Sequence, residues 1–211
     1  MPQIVDESMY RAWARRLTSA RQRSWAPWLF AQVLLSQPAA VGALWPSSGR
    51  LSRSLASRVP SRGDGLVVEL GAGTGAVTHA LLQRGIAPGR LAVVERSPVF
   101  VRYLRARFPG VSVLQGDAAA LDELLPGGSR IDAIVSSLPL RSLPAQEVAA
   151  IVAQWGALVR NGSIVVQFTY DLRESERLSL PGFLHRASDI VWANFPPARV
   201  TASEFCSAAQ H

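Results

Sequence analysis

The stretch LVVELGAGTG, residues 66–75, decides the fold. A short apolar run that is typical of a buried strand leads directly into three glycines, Gly71, Gly73 and Gly75. Glycine lacks a Cβ, so such a turn can bend sharply and bring its backbone close to a ligand at the start of the next helix. Dinucleotide-binding turns have the spacing G-x-G-x-x-G. The spacing here is G-x-G-x-G with Glu69 two residues ahead, which predicts a strand, turn and helix built around a different ligand.

Strand-like and helix-like segments alternate outward from this stretch. We predict strands over residues 66–70, 91–95, 111–115, 131–137, 163–170, 189–195 and 198–202. We predict helices over residues 74–84, 98–108, 119–125 and 145–159, and a short one within 47–65. Continuous apolar strands that alternate with helices are typical of a mostly parallel sheet covered on both faces. The prediction is therefore an α/β fold with a seven-stranded, mostly parallel sheet.

Acidic residues follow the next two strands. Glu95 ends the second strand, where a carboxylate can accept hydrogen bonds from ribose hydroxyls. Asp117 follows the third strand within Gly116-Asp117-Ala118. Ligands of open α/β sheets bind beyond the carboxyl ends of the strands, so these groups converge on one pocket. Together with the glycine turn they resemble the motifs of class I S-adenosylmethionine (SAM) methyltransferases, a Rossmann-like fold.

This resemblance implies that SAM is the cofactor and S-adenosyl-L-homocysteine the product. In that class the acid after the third strand usually meets the adenine amino group. The residues expected to bind the cofactor are Glu69, Gly71, Ala72, Gly73, Thr74, Gly75, Glu95, Arg96, Ser97, Gly116, Asp117, Ala118 and Ser136.

The segment after the fourth strand, Ser136-Ser137-Leu138-Pro139-Leu140, is expected to line the methyl acceptor. Many methyltransferases of adenine and glutamine nitrogens have Asn-Leu-Pro-Tyr or Asn/Asp-Pro-Pro-aromatic there. This chain lacks both the amide and the aromatic ring, which argues against an extruded base as the substrate.

The longer match is to the bacterial phospholipid N-methyltransferases, which methylate phosphatidylethanolamine towards phosphatidylcholine. The chain resembles them in VGALWPSS (41–48), VVELGAGTG (67–75), VERSP (94–98), RFPGV (107–111), GDA (116–118), VSSLPL (135–140), VQFTY (166–170) and NFPPA (194–198). The resemblance implies N-methylation of phosphatidylethanolamine and its methylated intermediates, with Tyr170, Ser137 and Leu138 as the catalytic residues. The family often continues Gly-Pro-x-Ser-Pro after the tyrosine, whereas this chain has Asp171-Leu172-Arg173-Glu174-Ser175.

The basic surplus lies near the N-terminus. Residues 1–60 contain eight arginines and two acids, whereas residues 61–211 contain fourteen arginines and thirteen acids. Residues 5–36 have an amphipathic helical pattern with tryptophans, which is typical of an interfacial membrane helix, although such a helix can also simply pack on the core. We predict a helical membrane-docking or lid segment over 1–46 and a methyltransferase domain over 47–211. Candidate cations for a lipid phosphate are Arg16, Arg21, Arg50 and Arg53.

Other sequence features limit where the protein can be located and what it can bind. The uncharged stretch 26–46 is long enough to span a bilayer, but Pro38 would break its helix. Acids and arginines interrupt any signal-peptide pattern, and the single cysteine, Cys206, excludes an internal disulfide. We expect a cytoplasmic protein at the inner face of the bacterial membrane, with an anionic phospholipid surface and phosphatidylethanolamine as partners and neither nucleic acid nor metal.

Three alternatives remain open at the level of the sequence. The first is an rRNA or tRNA adenine N-methyltransferase, which a pI near 11.1 favours. The second is a small-molecule N- or O-methyltransferase. The third is a non-enzymatic, basic peripheral membrane protein with a vestigial SAM fold, which would bind SAM poorly.

Overall fold

The computed structural model describes residues 48–172, 180–194 and 196–206. The predicted docking segment 1–46, with Arg16, Arg21 and the uncharged stretch 26–46, lies outside the described residues. So do Arg173, Glu174 and Ser175. The predicted boundary between the segment and the domain therefore stays a prediction.

A seven-stranded sheet with the order β3-β2-β1-β4-β5-β7-β6 forms the centre of the molecule. Its first five strands, which are mutually parallel, are β1 (Leu66–Leu70), β2 (Leu91–Glu95), β3 (Ser112–Gln115), β4 (Ile131–Ser136) and β5 (Ile164–Thr169). The antiparallel strands β6 (Phe183–Val191) and β7 (Ala198–Phe205) close the sheet beside β5. The carboxyl ends of β1 to β5 share one edge, which we call the site edge.

Helices cover both faces of this sheet. They are α1 (Ser48–Ser57), α2 (Ala76–Gln83), α3 (Pro98–Arg107), α4 (Leu121–Leu124) and α5 (Ala145–Leu158). One core cluster joins α1, α2 and α3 to the sheet through Leu55, Leu81 and Leu104. A second cluster on the other face includes Leu121 of α4 and Trp155 of α5. The predicted α/β class is confirmed: a mostly parallel, Rossmann-like sheet of seven strands between two layers of helices.

The closing hairpin differs from the prediction. The sixth strand was expected over residues 189–195, but it ends at Val191, and Trp192 and Ala193 form a turn. The Asn194 N–H donates to the Val191 carbonyl at 3.1 Å and closes that turn. The prediction was wrong because an apolar run with tryptophan is typical of a strand, yet prolines at 196 and 197 have no N–H to continue a ladder. The hairpin turn therefore lies at the site edge, beside the end of β5.

A group of polar contacts stabilises the opposite edge of the sheet, where β1 begins. Arg90 donates to the carbonyls of Ser61 at 3.2 Å and Gly65 at 2.9 Å, and to Asp132 Oδ2 at 3.0 Å. The Gly65 N–H donates to the same Asp132 oxygen at 2.9 Å. We call these four residues the base tie, since they fasten the loop before β1 to the starts of β2 and β4.

Candidate functional site

The glycine turn after β1 has the backbone that its sequence predicts. Gly71, Gly73 and Gly75 have φ values of 74°, 53° and 80°, a region that favours glycine. The Gly71 N–H donates to the Val94 carbonyl at 2.9 Å and fixes the turn against β2. A Cβ on Gly71 would lie only 2.8 Å from Leu138 Cδ2. The turn therefore lies against the segment after β4, and any side chain at 71 would collide with it.

Glu95 joins the glycine turn to the start of α3. Its Oε2 accepts a hydrogen bond from the Gly73 N–H at 3.0 Å, and its Oε1 accepts one from the Ser97 N–H at 2.8 Å. The residue is buried, with 8% of its surface exposed. A carboxylate offers about four lone-pair sites, so two backbone donors leave capacity for the hydroxyls of a bound ligand.

Asp117 caps the short turn after β3. Its Oδ1 accepts from the Ala119 N–H at 2.9 Å, and its Oδ2 lies 3.8 Å from Arg96 Nη1. Arg96 Nη1 also lies 3.7 Å from Glu147 Oε1 of α5. The Arg96 side chain is 78% exposed, so these contacts are weak. Arg96 therefore places a positive charge at the exposed rim of the site.

An open cleft of about 130 Å³ lies at the site edge. It brings together seven of the residues predicted from the sequence: Gly71, Glu95, Arg96, Gly116, Asp117, Ala118 and Leu138. The other predicted residues do not line it: Glu69, Ala72, Gly73, Thr74, Gly75, Ser97, Ser136, Ser137 and Tyr170. Gly73 and Ser97 contribute indirectly, because their N–H groups donate hydrogen bonds to the Glu95 carboxylate, which does line the cleft.

Four lining residues were not predicted from the sequence: Val94, Leu143, Glu147 and Ile151. Pro139, which also lines the cleft, belongs to the segment after β4 that was expected to border the acceptor. Glu147 and Ile151 are four residues apart on α5 and so share one face of it. The four-residue spacing could be seen in the sequence. No sequence pattern, however, indicated that this face of α5 lines the same cleft as the glycine turn.

The cleft suits a nucleoside with a charged tail. Its walls are apolar at Val94, Ala118, Leu138 and Ile151, and carboxylates stand at Glu95 and Asp117. Gly71 adds a stretch of bare backbone that a ligand can approach closely. The residues present therefore fit SAM.

Glu69 lies behind the glycine turn and is fully buried. Its Oε2 accepts from the Thr78 hydroxyl at 2.7 Å, while its Oε1 has no partner among the described residues. Burial raises the pKa of this carboxyl to about 7, because water no longer stabilises the charge; the Thr78 hydrogen bonds counteract that shift only in part. Glu69 therefore supports the turn from inside and does not reach the cleft.

The predicted acceptor residues lie farther along the same edge. The Ser137 N–H donates to the Leu70 carbonyl at 2.9 Å, whereas the Ser137 Oγ is buried and has no partner among the described residues. The Tyr170 ring packs edge-on against Phe168 with 5.4 Å between centroids, and the Asn194 side chain lies beside its hydroxyl. Burial raises the Tyr170 pKa and the Asn194 contact opposes this, so the phenol is neutral at pH 7.

The two histidines among the described residues lie away from this site. His79 is exposed on α2 and His185 is exposed on β6, and neither lines the cleft. Within residues 48–172, 180–194 and 196–206, no three His, Cys, Asp or Glu side chains are grouped to hold a metal ion. None of the helices in those ranges is both long and apolar enough to cross a bilayer.

Residues 67–162 match the model of a family described as "methyltransferase domain". The chain is 38% identical over 121 residues to an ornithine lipid N-methyltransferase of Singulisphaera acidiphila. That match covers 55% of this chain, and the chain spans 63% of the length of that curated relative.

Solved methyltransferases share the fold. A Burkholderia thailandensis 1,6-didemethyltoxoflavin-N1-methyltransferase, solved with S-adenosylhomocysteine, has a TM-score of 0.61 at 17% identity, over 86% of this chain and 91% of its own. Fibrillarin of Aeropyrum pernix, solved with SAM, has a TM-score of 0.57 at 16% identity, over 74% of this chain and 76% of its own. The domain match supports SAM, the predicted cofactor. Residues 67–162 thus match a methyltransferase domain, and the described chain has the fold of the class I SAM-dependent methyltransferases.

Proposed function

We propose that this protein transfers methyl groups from SAM to the amine of a membrane lipid, with phosphatidylethanolamine and its methylated intermediates as the first candidates. The observation that carries the proposal is the cleft itself: Gly71, Glu95 and Asp117 follow three neighbouring strands and meet there. Leu138 and Pro139 form its wall on the side of β4, where an acceptor would enter. The likeness to a lipid N-methyltransferase supports a lipid amine as that acceptor.

In this proposal the cofactor residues hold the donor without reacting. SAM supplies a methyl group already activated by its sulfonium. Glu95 would accept the ribose hydroxyls, Asp117 would bind the adenine amino group, and the apolar walls would exclude water. Arg96, at the exposed rim, closes the cleft towards Glu147. The task of the protein is then to align an uncharged amine with the donor.

The acceptor amine is protonated at neutral pH and must lose a proton before it attacks. Ser137 Oγ and the Tyr170 hydroxyl do not line the cleft itself, but they are the neutral polar groups to which the proposal assigns the amine. A neutral phenol or hydroxyl can accept a hydrogen bond from the amine and help to pass its proton to water. Leu138, which contacts the glycine turn, would keep water away from the reacting carbon.

An ornithine lipid is the second candidate, since the curated relative that resembles this chain acts on that class of lipid. Both candidates offer a primary amine on a lipid in a bilayer. They differ in the acidic group beside it, which is a phosphate in phosphatidylethanolamine and a carboxylate in ornithine lipid. The proposal also places the protein at the inner face of the cytoplasmic membrane, on anionic lipid.

The test is a transfer assay with labelled SAM. Vesicles of phosphatidylglycerol mixed with phosphatidylethanolamine, similar vesicles with ornithine lipid, and total RNA are incubated separately with wild-type protein and with Glu95→Ala. We expect label in one lipid fraction, and at least a tenfold loss in Glu95→Ala because the ribose loses its acceptor. Label in RNA alone would replace the lipid proposal, and failure to bind SAM would leave only a vestigial fold.

A further inference from the structure

The segment after β5 is held by side chains from three separate elements. We call residues 170–172 the tyrosine segment. The side chain of Asn194, in the closing hairpin, lies beside the Tyr170 hydroxyl. The Leu172 carbonyl accepts from Arg199 Nη2 of β7 at 2.5 Å. Asp171 Oδ2 lies 3.1 Å from Arg141 Nη2, in the turn after β4.

We propose that the Arg141–Asp171 ion pair positions Tyr170 at the acceptor side of the cleft, which makes Arg141 and Asp171 positioning residues for methyl transfer. This rests on the proposed function, because it assigns to Tyr170 the contact with the acceptor amine. The pair joins the tyrosine segment to the side of the cleft formed by Leu138, Pro139 and Leu143.

Arg141 is fixed at its backbone. It lies in the short turn Leu140–Ser142, whose Leu140 side chain is almost completely buried. The Leu140 N–H donates to the Leu138 carbonyl at 2.9 Å, and the Ser142 N–H donates to the Pro139 carbonyl at 2.8 Å. Arg141 is therefore rigidly connected to residues that line the cleft.

Asp171 is fixed as well. Its N–H donates to Thr169 Oγ1 at 3.1 Å, and Thr169 is buried at the end of β5. The Arg141 and Asp171 side chains are only 22% and 27% exposed, so water screens their attraction less than that of a surface pair. Because Tyr170 lies between Thr169 and Asp171, fixing both neighbours sets the direction of its side chain.

The experiment is a double-mutant cycle. Asp171→Asn and Arg141→Gln are each made in the wild-type chain and in Tyr170→Phe, and kcat for vesicle lipid is measured beside SAM affinity and melting temperature. We expect each single change to lower kcat about tenfold, with SAM affinity unchanged within about threefold. In Tyr170→Phe the same changes should cost less than about twofold, since the group they position is already missing. Arg141→Lys, which keeps the charge, should retain most of the activity.

Glu204→Gln provides the matched control. It removes an ion pair with Arg186 of 2.7 Å in the same hairpin region, at the end remote from the site edge, and should leave kcat unchanged. Full, additive losses in Tyr170→Phe, or an equal loss in Glu204→Gln, would overturn the positioning role alone. A wild-type protein that methylates no lipid amine would instead overturn the proposed function and this inference with it.

Discussion

Gly71 occupies a position where the backbone and its surroundings both require glycine. Its φ is 74°, and a Cβ there would meet Leu138 Cδ2 at 2.8 Å. We predict that Gly71→Ala lowers the free energy of unfolding by about 2–3 kcal/mol, of which about 1–2 kcal/mol is backbone strain. It should also weaken SAM binding at least tenfold, because Leu138 must move into the cleft. Urea unfolding and calorimetric titration measure the two effects.

Gly128→Ala is the control for that prediction. Gly128 has nearly the same φ, 75°, but nothing lies within 4 Å of its virtual Cβ. It should show the backbone strain and keep the affinity for SAM. Similar SAM affinities in the two variants would mean that Leu138 does not border the bound cofactor.

Glu69 should give the stability of the unliganded protein a distinctive dependence on pH. Its pKa is about 7 in the folded state against an ordinary value of 4.5, so the folded state binds more protons between those values. Stability from this group is complete below pH 4.5 and is lost as the pH rises to about 7. The loss should reach roughly 3 kcal/mol. Glu69→Gln cannot titrate and should lack this decline.

The measurement is urea unfolding of both proteins from pH 4.5 to 8. The difference between the two curves isolates Glu69, since other titrating groups contribute equally to both. If the free energy of unfolding depended on pH in the same way in both proteins, Glu69 would be ionised over this whole pH range. Its second oxygen would then have a hydrogen-bond donor in solution.

At the scale of elements, the base tie should matter for stability and not for the cofactor. Asp132 accepts from Arg90 and from the Gly65 N–H in a site where its side chain is only 13% exposed. We predict that Asp132→Ala costs about 3 kcal/mol, because Arg90 is left partly buried without its partner. Per folded molecule, SAM affinity should not change, since the base tie lies at the sheet edge opposite the cleft.

Asp64→Ala is the matched control at the same edge. Asp64 also pairs with an arginine, Arg130 at 2.9 Å, but its side chain is 75% exposed. An exposed pair contributes at most about 1 kcal/mol, so the loss should be small. Equal losses would mean that burial does not govern the strength of these pairs.

The bounds of the elements were predicted best where turn-forming residues flank an apolar run. The bounds of β1 and β2 were predicted to the residue, because each is an apolar run bounded by turn residues. The helix after the glycine turn was predicted from Thr74 but begins at Ala76, since the left-handed backbone at Gly75 delays it. The start of β6 at Phe183 was missed, because its alternation is interrupted and no neighbouring strand can be read from the chain itself.

The same limit applies to the candidate site. Gly71, Glu95 and Asp117 could be predicted because each follows its own strand, and parallel strands end at one edge. Glu147 and Ile151 could not, because they reach the cleft through the packing of α5. The Arg141–Asp171 pair joins residues thirty positions apart, and no local pattern connects them.

At the scale of the whole molecule, the uneven charge predicts a role for the N-terminal residues. Deleting residues 1–24 removes five arginines and two acids. We predict that it abolishes binding to phosphatidylglycerol vesicles while SAM affinity stays within about threefold, because attraction to anionic lipid is worth about 1 kcal/mol per arginine. Flotation with anionic and with neutral vesicles checks this, and the wild-type protein should bind the neutral ones weakly. Equal loss of vesicle and SAM binding would instead favour a segment that covers the cofactor.

The reversed direction of β7 has a consequence for how such a chain can diversify. Because β7 runs against β5, the hairpin returns its turn, with Asn194, to the edge where the cofactor residues end. Most of the cleft lining comes from residues 71–151, whereas the closing hairpin of β6 and β7 contributes no residue to it. A chimera that exchanges this hairpin would therefore change the neighbourhood of Tyr170 and leave the cleft lining as it is.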